Sequence, residues 1–258
     1  MNIDGKNIIL TGASSGIGRE LLEKLQRYDV RIIAVARSVD TIDNYAGKVI
    51  PFSCDISKSE KIDELFEFAF HKLGKIDIFI ANAGFAYCEE IIEPDWEHNK
   101  RIYDTDVLSP IYSVEKMKAI NGQNEYFTVI TCSAVHNVAL PGYTLYCSAK
   151  SAIHQFARTY RYEMKNRGKL ALVYPVATNT KFFRKAGGKN APVPWPVQSP
   201  SKVADKIIKG IEKDKDSIYP SVFYSVSEIL NRIFPFVYYI YENIQANKFN
   251  NWLKKHNN

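Results

Sequence analysis

A single doubly wound α/β domain on a parallel sheet is predicted by three features of the sequence. Short apolar runs recur along the chain. They alternate with segments of helical period, and a glycine-rich turn joins the first run to the first such segment. The runs are Asn7–Thr11, Arg31–Ala36, Val49–Ser53, Ile76–Ala81, Phe127–Ser133 and Leu170–Tyr174, with a weaker one at Ser217–Pro220. Most are nearly continuous in apolar residues, as strands covered on both faces are. Repeated strand–helix–strand units with right-handed crossovers give helices on both faces of the sheet, three layers in all.

The intervening segments carry spacing near 3.6. In Ser57–Leu73, a stripe of Ile62, Leu65, Phe66, Ala69 and Leu73 follows Ser57 and Glu60, which read as a capping box. Tyr146–Asn166 aligns Ile153, Phe156, Ala157, Tyr160 and Met164 on one face. Ser199 and Pro200 suit the N-cap and first turn of a helix to about Lys213. The 258 residues, 46% of them apolar, suffice for one domain with a substantial core. No repeat or low-complexity linker divides the chain. Residues 1–220 are expected to form the domain and residues 221–258 an appendage.

Composition narrows the function. The net charge is +6, from 34 basic against 28 acidic residues. A mild excess of this kind reads as a solvated basic surface, and no basic run is dense enough for nucleic acid. The four cysteines, Cys54, Cys88, Cys132 and Cys147, form no CxxC pair, and no His/Cys cluster has zinc-ligand spacing, so no metal is expected. Free thiols fit a reducing cytosol, and a cytoplasmic location is expected. Met1 to Lys6 has no basic stretch leading into an apolar run, so no signal peptide is expected. The longest apolar run, Ile233 to Tyr241, falls far short of the roughly 20 residues that span a bilayer.

The glycine-rich turn is Thr11-Gly12-Ala13-Ser14-Ser15-Gly16-Ile17-Gly18, followed by Leu21, Leu22 and Leu25 at helical spacing. Three glycines at a strand-to-helix turn serve a tight bend, backbone approach to a pyrophosphate and close helix packing. The helix N-terminus then offers free N–H groups and a positive dipole end to phosphates. No GK[ST] follows, which excludes a nucleoside-triphosphate loop. The second strand ends Val35-Ala36-Arg37-Ser38. An acidic residue there would hold a ribose 2′-OH; Arg37 instead suits a 2′-phosphate, and so NADP(H) over NAD(H).

Tyr146 and Lys150 in Tyr146-Cys147-Ser148-Ala149-Lys150 stand four apart, on one face of a helix. A tyrosine with an ordinary pKa near 10 is a poor base at neutral pH, and a nearby ammonium makes its phenolate accessible. Ser133, at the end of its run, lies at the sheet edge where such folds bind ligands. Cys132 and Cys147 flank this group, as reactive thiols or as buried inert ones.

With these elements in order, the sequence resembles the short-chain dehydrogenase/reductase family over about Asn7 to Thr180. The resemblance is carried by TGASSGIG at 11–18, Cys54-Asp55-Ile56, Asn82-Ala83-Gly84, Ser133 and YCSAK at 146–150. It implies a Rossmann-type fold and an NADP(H)-dependent oxidoreductase that moves a hydride between nicotinamide and a carbonyl or secondary alcohol. Tyr146 would be the acid/base, Lys150 its partner and a nicotinamide-ribose ligand, and Ser133 the holder of the substrate oxygen. Gly12, Ser14, Ser15, Gly16, Ile17 and Gly18 would cradle the phosphates. Asp55 and Ile56 would meet the adenine, Asn82, Ala83 and Gly84 would line the cofactor, and Thr178 and Thr180 would lie near its carboxamide and phosphates. Association into a homo-oligomer is implied as well.

Three positions depart from the family's pattern. Asp106 stands where an asparagine usually completes the catalytic set, and an ionised carboxylate cannot donate the hydrogen bond an amide can. Pro175-Val176 replaces Pro-Gly, and valine disfavours positive φ. Ser15 occupies a position that is basic in many NADP-using members. A cofactor-binding protein with little or no turnover is therefore the rival reading.

On the substrate side, Phe182 to Gln198 carries Gly187-Gly188 and Pro192, Pro194 and Pro196 around Trp195, and reads as a lid or an irregular loop. His136 and Tyr143 are candidate substrate contacts. The stretch Val222–Tyr241 is rich in aromatics: Phe223, Tyr224, Phe234, Phe236, Tyr238, Tyr239 and Tyr241. Pro235 should break or kink a helix there. Three placements are open: a cover over an apolar substrate pocket, a subunit contact, or a membrane surface, for which Lys248, Lys254 and Lys255 suit anionic lipid.

Overall fold

The computed structural model describes residues 1–43, 47–164, 167–234 and 236–256; Asn166 and Pro235 lie outside them. Seven parallel strands build the main sheet: β1 (Lys6–Thr11), β2 (Val30–Ala36), β3 (Val49–Ser53), β4 (Ile78–Ala81), β5 (Tyr126–Thr131), β6 (Gly168–Val173) and β9 (Ser217–Ile218), in the order β3-β2-β1-β4-β5-β6-β9. The register pairs Leu10 with Ala34, Ile9 with Phe79 and Ile130 with Leu172.

Strand side chains alternate between faces, and the sheet therefore makes two cores. Ile8, Leu10, Ile78 and Ile80 face α1 (Gly16–Leu25) and α7 (Pro200–Glu212), which contribute Leu21, Leu22, Leu25, Val203, Ile207 and Ile211. Ile9, Phe79, Leu170 and Leu172 face α2 (Ser59–Leu73), α4 (Ser109–Asn121) and α5 (Thr144–Glu163), which contribute Ile62, Leu65, Met117, Ile153 and Ala157. The chain runs outward from β1 to β3, then returns to β4 on the other side of β1. Crevices at such reversals, outside the carboxyl ends of the strands, are where ligands bind.

Some local expectations are corrected. The strand read as Phe127–Ser133 stops at Thr131. Ser133 instead caps a 3-10 turn, Ala134–His136, its Oγ accepting the Val135 N–H at 3.3 Å. The capping box of Ser57 and Glu60 does not form. The Asp55 carboxylate takes both the Ser57 hydroxyl, at 2.8 Å, and its N–H, at 3.2 Å, so α2 starts at Ser59 without a side-chain cap. Ser199 does cap α7, accepting the Lys202 N–H at 3.2 Å.

After β6 come a small sheet of β7 (Ala177–Thr178) and β8 (Val197–Gln198), with α6 (Phe182–Gly187) between them. Val176 keeps φ outside the positive range, so its loop uses ordinary backbone. Two helices end the described chain, α8 (Val222–Ile233) and α9 (Phe236–His256). Tyr224 of α8 is buried beneath the Ser133 loop, its hydroxyl 3.2 Å from the Ala134 carbonyl and 3.0 Å from Asn137 Oδ1. Phe249 of α9 lies on Gly142, where a Cβ would sit 2.5 Å from its ring. Val222, Val226, Ile229 and Ile233 form one solvent-facing apolar strip on α8. Among the described residues, no helix is long and apolar enough to cross a membrane.

Candidate active site

A cavity of about 830 Å³ opens at the carboxyl ends of β1, β4 and β5. Its first wall is the glycine-rich turn. Gly12 has φ +70, and a Cβ there would lie 2.9 Å from the Ala83 Cα, so only glycine fits beside β4. The Thr11 hydroxyl accepts the backbone N–H groups of Asn82 and Ala83, at 3.0 and 3.1 Å, while Asn82 Nδ2 donates to the Thr11 carbonyl at 3.2 Å. These bonds fix the turn against Asn82-Ala83-Gly84. α1 begins at Gly16 with no side-chain cap on its N-terminus, which leaves its first N–H groups for a ligand.

Gly12, Ser14, Ser15, Gly16 and Ile17 line the cavity, as do Arg37, Asp55, Ile56, Asn82, Ala83, Gly84, Thr178 and Thr180. Gly18 does not. It is buried behind the turn, where a Cβ would come 2.1 Å from the Gly12 carbonyl oxygen, so its part is helix packing. Arg37 is exposed at the end of β2, and its guanidinium has no ion-pair partner among the described residues. Thr178 Oγ1 donates to the Val176 carbonyl at 2.9 Å, and Thr180 Oγ1 accepts the Phe182 N–H at 3.2 Å.

The opposite wall brings together Ser133, Tyr146, Lys150 and Asp106. Lys150 Nζ lies 5.4 Å from the Tyr146 ring centroid and donates to the Thr131 carbonyl at 3.2 Å. Burial above all, with Asp106 adding to it and Lys150 and Ser133 opposing, pushes the Tyr146 phenol up to about 12. Asp106 sits in a π-helical turn, Asp104–Leu108, between α3 (Trp96–Tyr103) and α4. Its Oδ2 lies 3.0 Å from Lys150 Nζ, and its Oδ1 accepts the Phe85 N–H at 3.1 Å. Burial disfavours the Lys150 ammonium, but the facing carboxylate more than offsets this, and Lys150 stays protonated well above the ordinary range.

Tyr143 lines the cavity, and its hydroxyl donates to the Pro192 carbonyl at 2.9 Å. His136 does not reach it. It is buried beneath the Ser133 loop, stacked on His154 at 4.0 Å, and burial lowers its pKa to about 4. Cys132 and Cys147 are thiols that burial pushes up to about 11, which makes them poor nucleophiles.

Several lining residues gave no sequence signal. Arg101, Thr105 and Lys181 reach the cavity from α3, the π turn and the start of α6, and Lys185 reaches it from the segment read as a lid. Phe182 packs its ring 5.4 Å from that of Tyr146. From the C-terminal helices, Phe223, Tyr224, Val237, Tyr238 and Tyr241 complete the wall.

The short chain dehydrogenase family matches residues 6–191 of this chain. A 3-ketodihydrosphingosine reductase of Dictyostelium discoideum is 29% identical over 250 residues, covering 81% of this chain and 73% of that one. Among solved structures, a short chain dehydrogenase from Burkholderia cenocepacia in complex with NADP superposes with a TM-score of 0.78 at 21% identity, covering 90% and 94% of the two chains. One from Burkholderia phymatum in complex with NAD gives 0.77 at 20% identity and covers 96% of each. By its sequence over most of its length and by its fold, the chain belongs to the short-chain dehydrogenase family, oxidoreductases that act on CH–OH or C=O groups with a nicotinamide cofactor.

Proposed function

We propose that the chain is an NADP(H)-preferring carbonyl reductase, or the reverse secondary-alcohol dehydrogenase, of an apolar substrate. The observation that carries this is the meeting of Tyr146, Lys150 and Ser133 in one cavity with the glycine-rich turn. The turn suits a diphosphate, because Gly12 and Gly16 leave room for backbone approach and the N–H groups of α1 are uncapped. Shared lining of the same cavity supports Arg37 as the 2′-phosphate ligand, Asp55 and Ile56 as adenine contacts, and Asn82, Ala83, Gly84, Thr178 and Thr180 as contacts to the rest of the cofactor. Bound there, the nicotinamide supplies or accepts the hydride.

The chain's own residues handle the oxygen. The Ser133 hydroxyl holds the substrate oxygen beside the Tyr146 phenol. Tyr146 donates its proton as the carbonyl is reduced, and Lys150 steadies the phenolate left behind. Residues 221–258 are read as a cover on the substrate side of the domain formed by residues 1–220. The aromatic and aliphatic side chains of Phe223, Val237, Tyr238 and Tyr241 favour an apolar substrate. The test is a panel of carbonyls offered with NADPH and with NADH. Faster oxidation of NADPH on bulky apolar ketones is the expected result. Tight binding of NADPH with no oxidation of it on any carbonyl of the panel would instead favour a binding protein without turnover.

A second reading concerns where the protein works, and the solvent-facing strip of Val222, Val226, Ile229 and Ile233 favours it. The strip suits a membrane surface carrying lipid-like ketones. Co-sedimentation with anionic liposomes, lost on Ile229→Asp, is expected. A chain that stays in solution and doubles its mass with concentration would place a second copy on the strip instead.

A further inference from the structure

Asp106 has no counterpart in the proton chemistry assigned above, yet it is the carboxylate nearest to that chemistry. Its side chain is fully buried and lies 3.0 Å from Lys150 Nζ. It cannot turn away. The Phe85 N–H holds Oδ1 at 3.1 Å, and Oδ2 faces Gly84, where an added Cβ would lie 3.0 Å from it. The π-helical turn that carries Asp106 is itself an interruption of the ordinary helical ladder, with the Ser109 N–H bonded to the Asp104 carbonyl. Lys150 is equally fixed, by Asp106 and by the Thr131 carbonyl.

The electrostatic consequence follows from charge counting. A lone ammonium beside a phenol, in surroundings less polar than water, strongly stabilises the phenolate. An ammonium already paired with a carboxylate presents only a dipole, whose attraction for the phenolate is much weaker. The groups that act on Tyr146 are Lys150 on its own helix, Asp106 on the π turn, and Ser133 and Cys132 at the end of β5; α6 presents the apolar ring of Phe182. Asp106 is the only carboxylate among those groups; burial pushes its pKa above the ordinary carboxylate range, against the pull of the Lys150 ammonium 3.0 Å away and of the Phe85 N–H.

We propose that Asp106 is a positioning residue that sets the pH range of the proton step. Paired with Lys150, it cancels the charge that would draw the proton off Tyr146, and so keeps the site poised to give a proton to a carbonyl oxygen rather than take one from an alcohol. In that step the Tyr146 O–H bond breaks, the substrate O–H bond forms, and water restores the phenol. The equilibrium between ketone and alcohol is unchanged; what moves is the pH at which reduction fails and oxidation begins. The proposal rests on Tyr146 as the proton-carrying group.

The test compares the full chain with Asp106→Asn in two ways. First, tyrosinate absorbance is titrated without cofactor, each protein against its own Tyr146→Phe counterpart, so that only Tyr146 is read. Second, rates of ketone reduction and alcohol oxidation are followed from pH 6 to 10. In Asp106→Asn the Tyr146 titration is expected to fall by a full pH unit or more. The alkaline loss of reduction and the onset of oxidation should move down with it. An unshifted titration would sink the proposal alone. A shifted titration with unshifted rate profiles would sink the assignment of Tyr146, and the proposal with it. Should Asp106→Asn fail to fold, Asp106→Ser removes the same charge with less bulk and answers the same question.

Discussion

Replacing Arg37 with alanine tests the cofactor preference. Arg37 stands exposed at the end of β2, lines the cavity, and makes no ion pair among the described residues. A charge-assisted contact to a phosphate is worth about 1.5–3 kcal/mol, and solvent exposure places this one at about 1.5–2 kcal/mol. That range corresponds to roughly a 10- to 30-fold loss in affinity. NADPH binding, followed by nicotinamide fluorescence, should weaken by this factor in Arg37→Ala, while NADH binding changes less than about twofold. The loss should shrink at high salt, because the contact is screened. Equal weakening of both cofactors, or of neither, would refute the role given to Arg37.

Other expectations follow from the same structure. Gly18→Ala forces a Cβ to within 2.1 Å of the Gly12 carbonyl oxygen, so α1 must retreat from the turn. A cost of about 1–3 kcal/mol, seen as a lower melting temperature, and loss of NADPH binding are expected. Tyr224→Phe removes the hydroxyl that meets the Ala134 carbonyl and Asn137 Oδ1, and urea denaturation should show about 1–3 kcal/mol of lost stability with lowered kcat. His136 and His154 are held near pKa 4 by burial, below their unfolded value of about 6.5. The unfolded chain therefore binds more protons, and stability should fall as pH drops from about 6.5 towards 4, by up to about 1.4 kcal/mol per pH unit for each group. Unchanged urea midpoints across that interval would count against the burial of this pair.

The sheet was legible because strands covered on both faces must be apolar throughout, and Ile8, Ile9 and Leu10 or Ile78, Phe79 and Ile80 each divide between two cores. The glycine turn was legible because its spacing is dictated by close backbone contact, as at Gly12 with Ala83. Strands of two residues, β7 and β8, have no period to detect. Ser57 misled because a side chain two residues earlier, Asp55, competes for the same groups. The partner of Asp106 was hidden for a different reason: Lys150 lies 44 positions away in sequence, and only the packing of the π turn against α5 joins them. The aromatic C-terminus left its placement open, because the places where Tyr224 and Phe249 dock are set by the Ser133 loop and by Gly142.

The central claim is that Tyr146 carries the proton in a nicotinamide-dependent carbonyl reaction, and Tyr146→Phe tests it most directly. The phenol oxygen is lost while the ring can still pack against Phe182 and Lys150. NADPH affinity should stay within about twofold, because the glycine turn and Arg37 are untouched, and kcat/KM for ketone reduction should fall about 10²–10⁴-fold. A variant that binds NADPH and reduces the ketone at the parent rate would contradict the account.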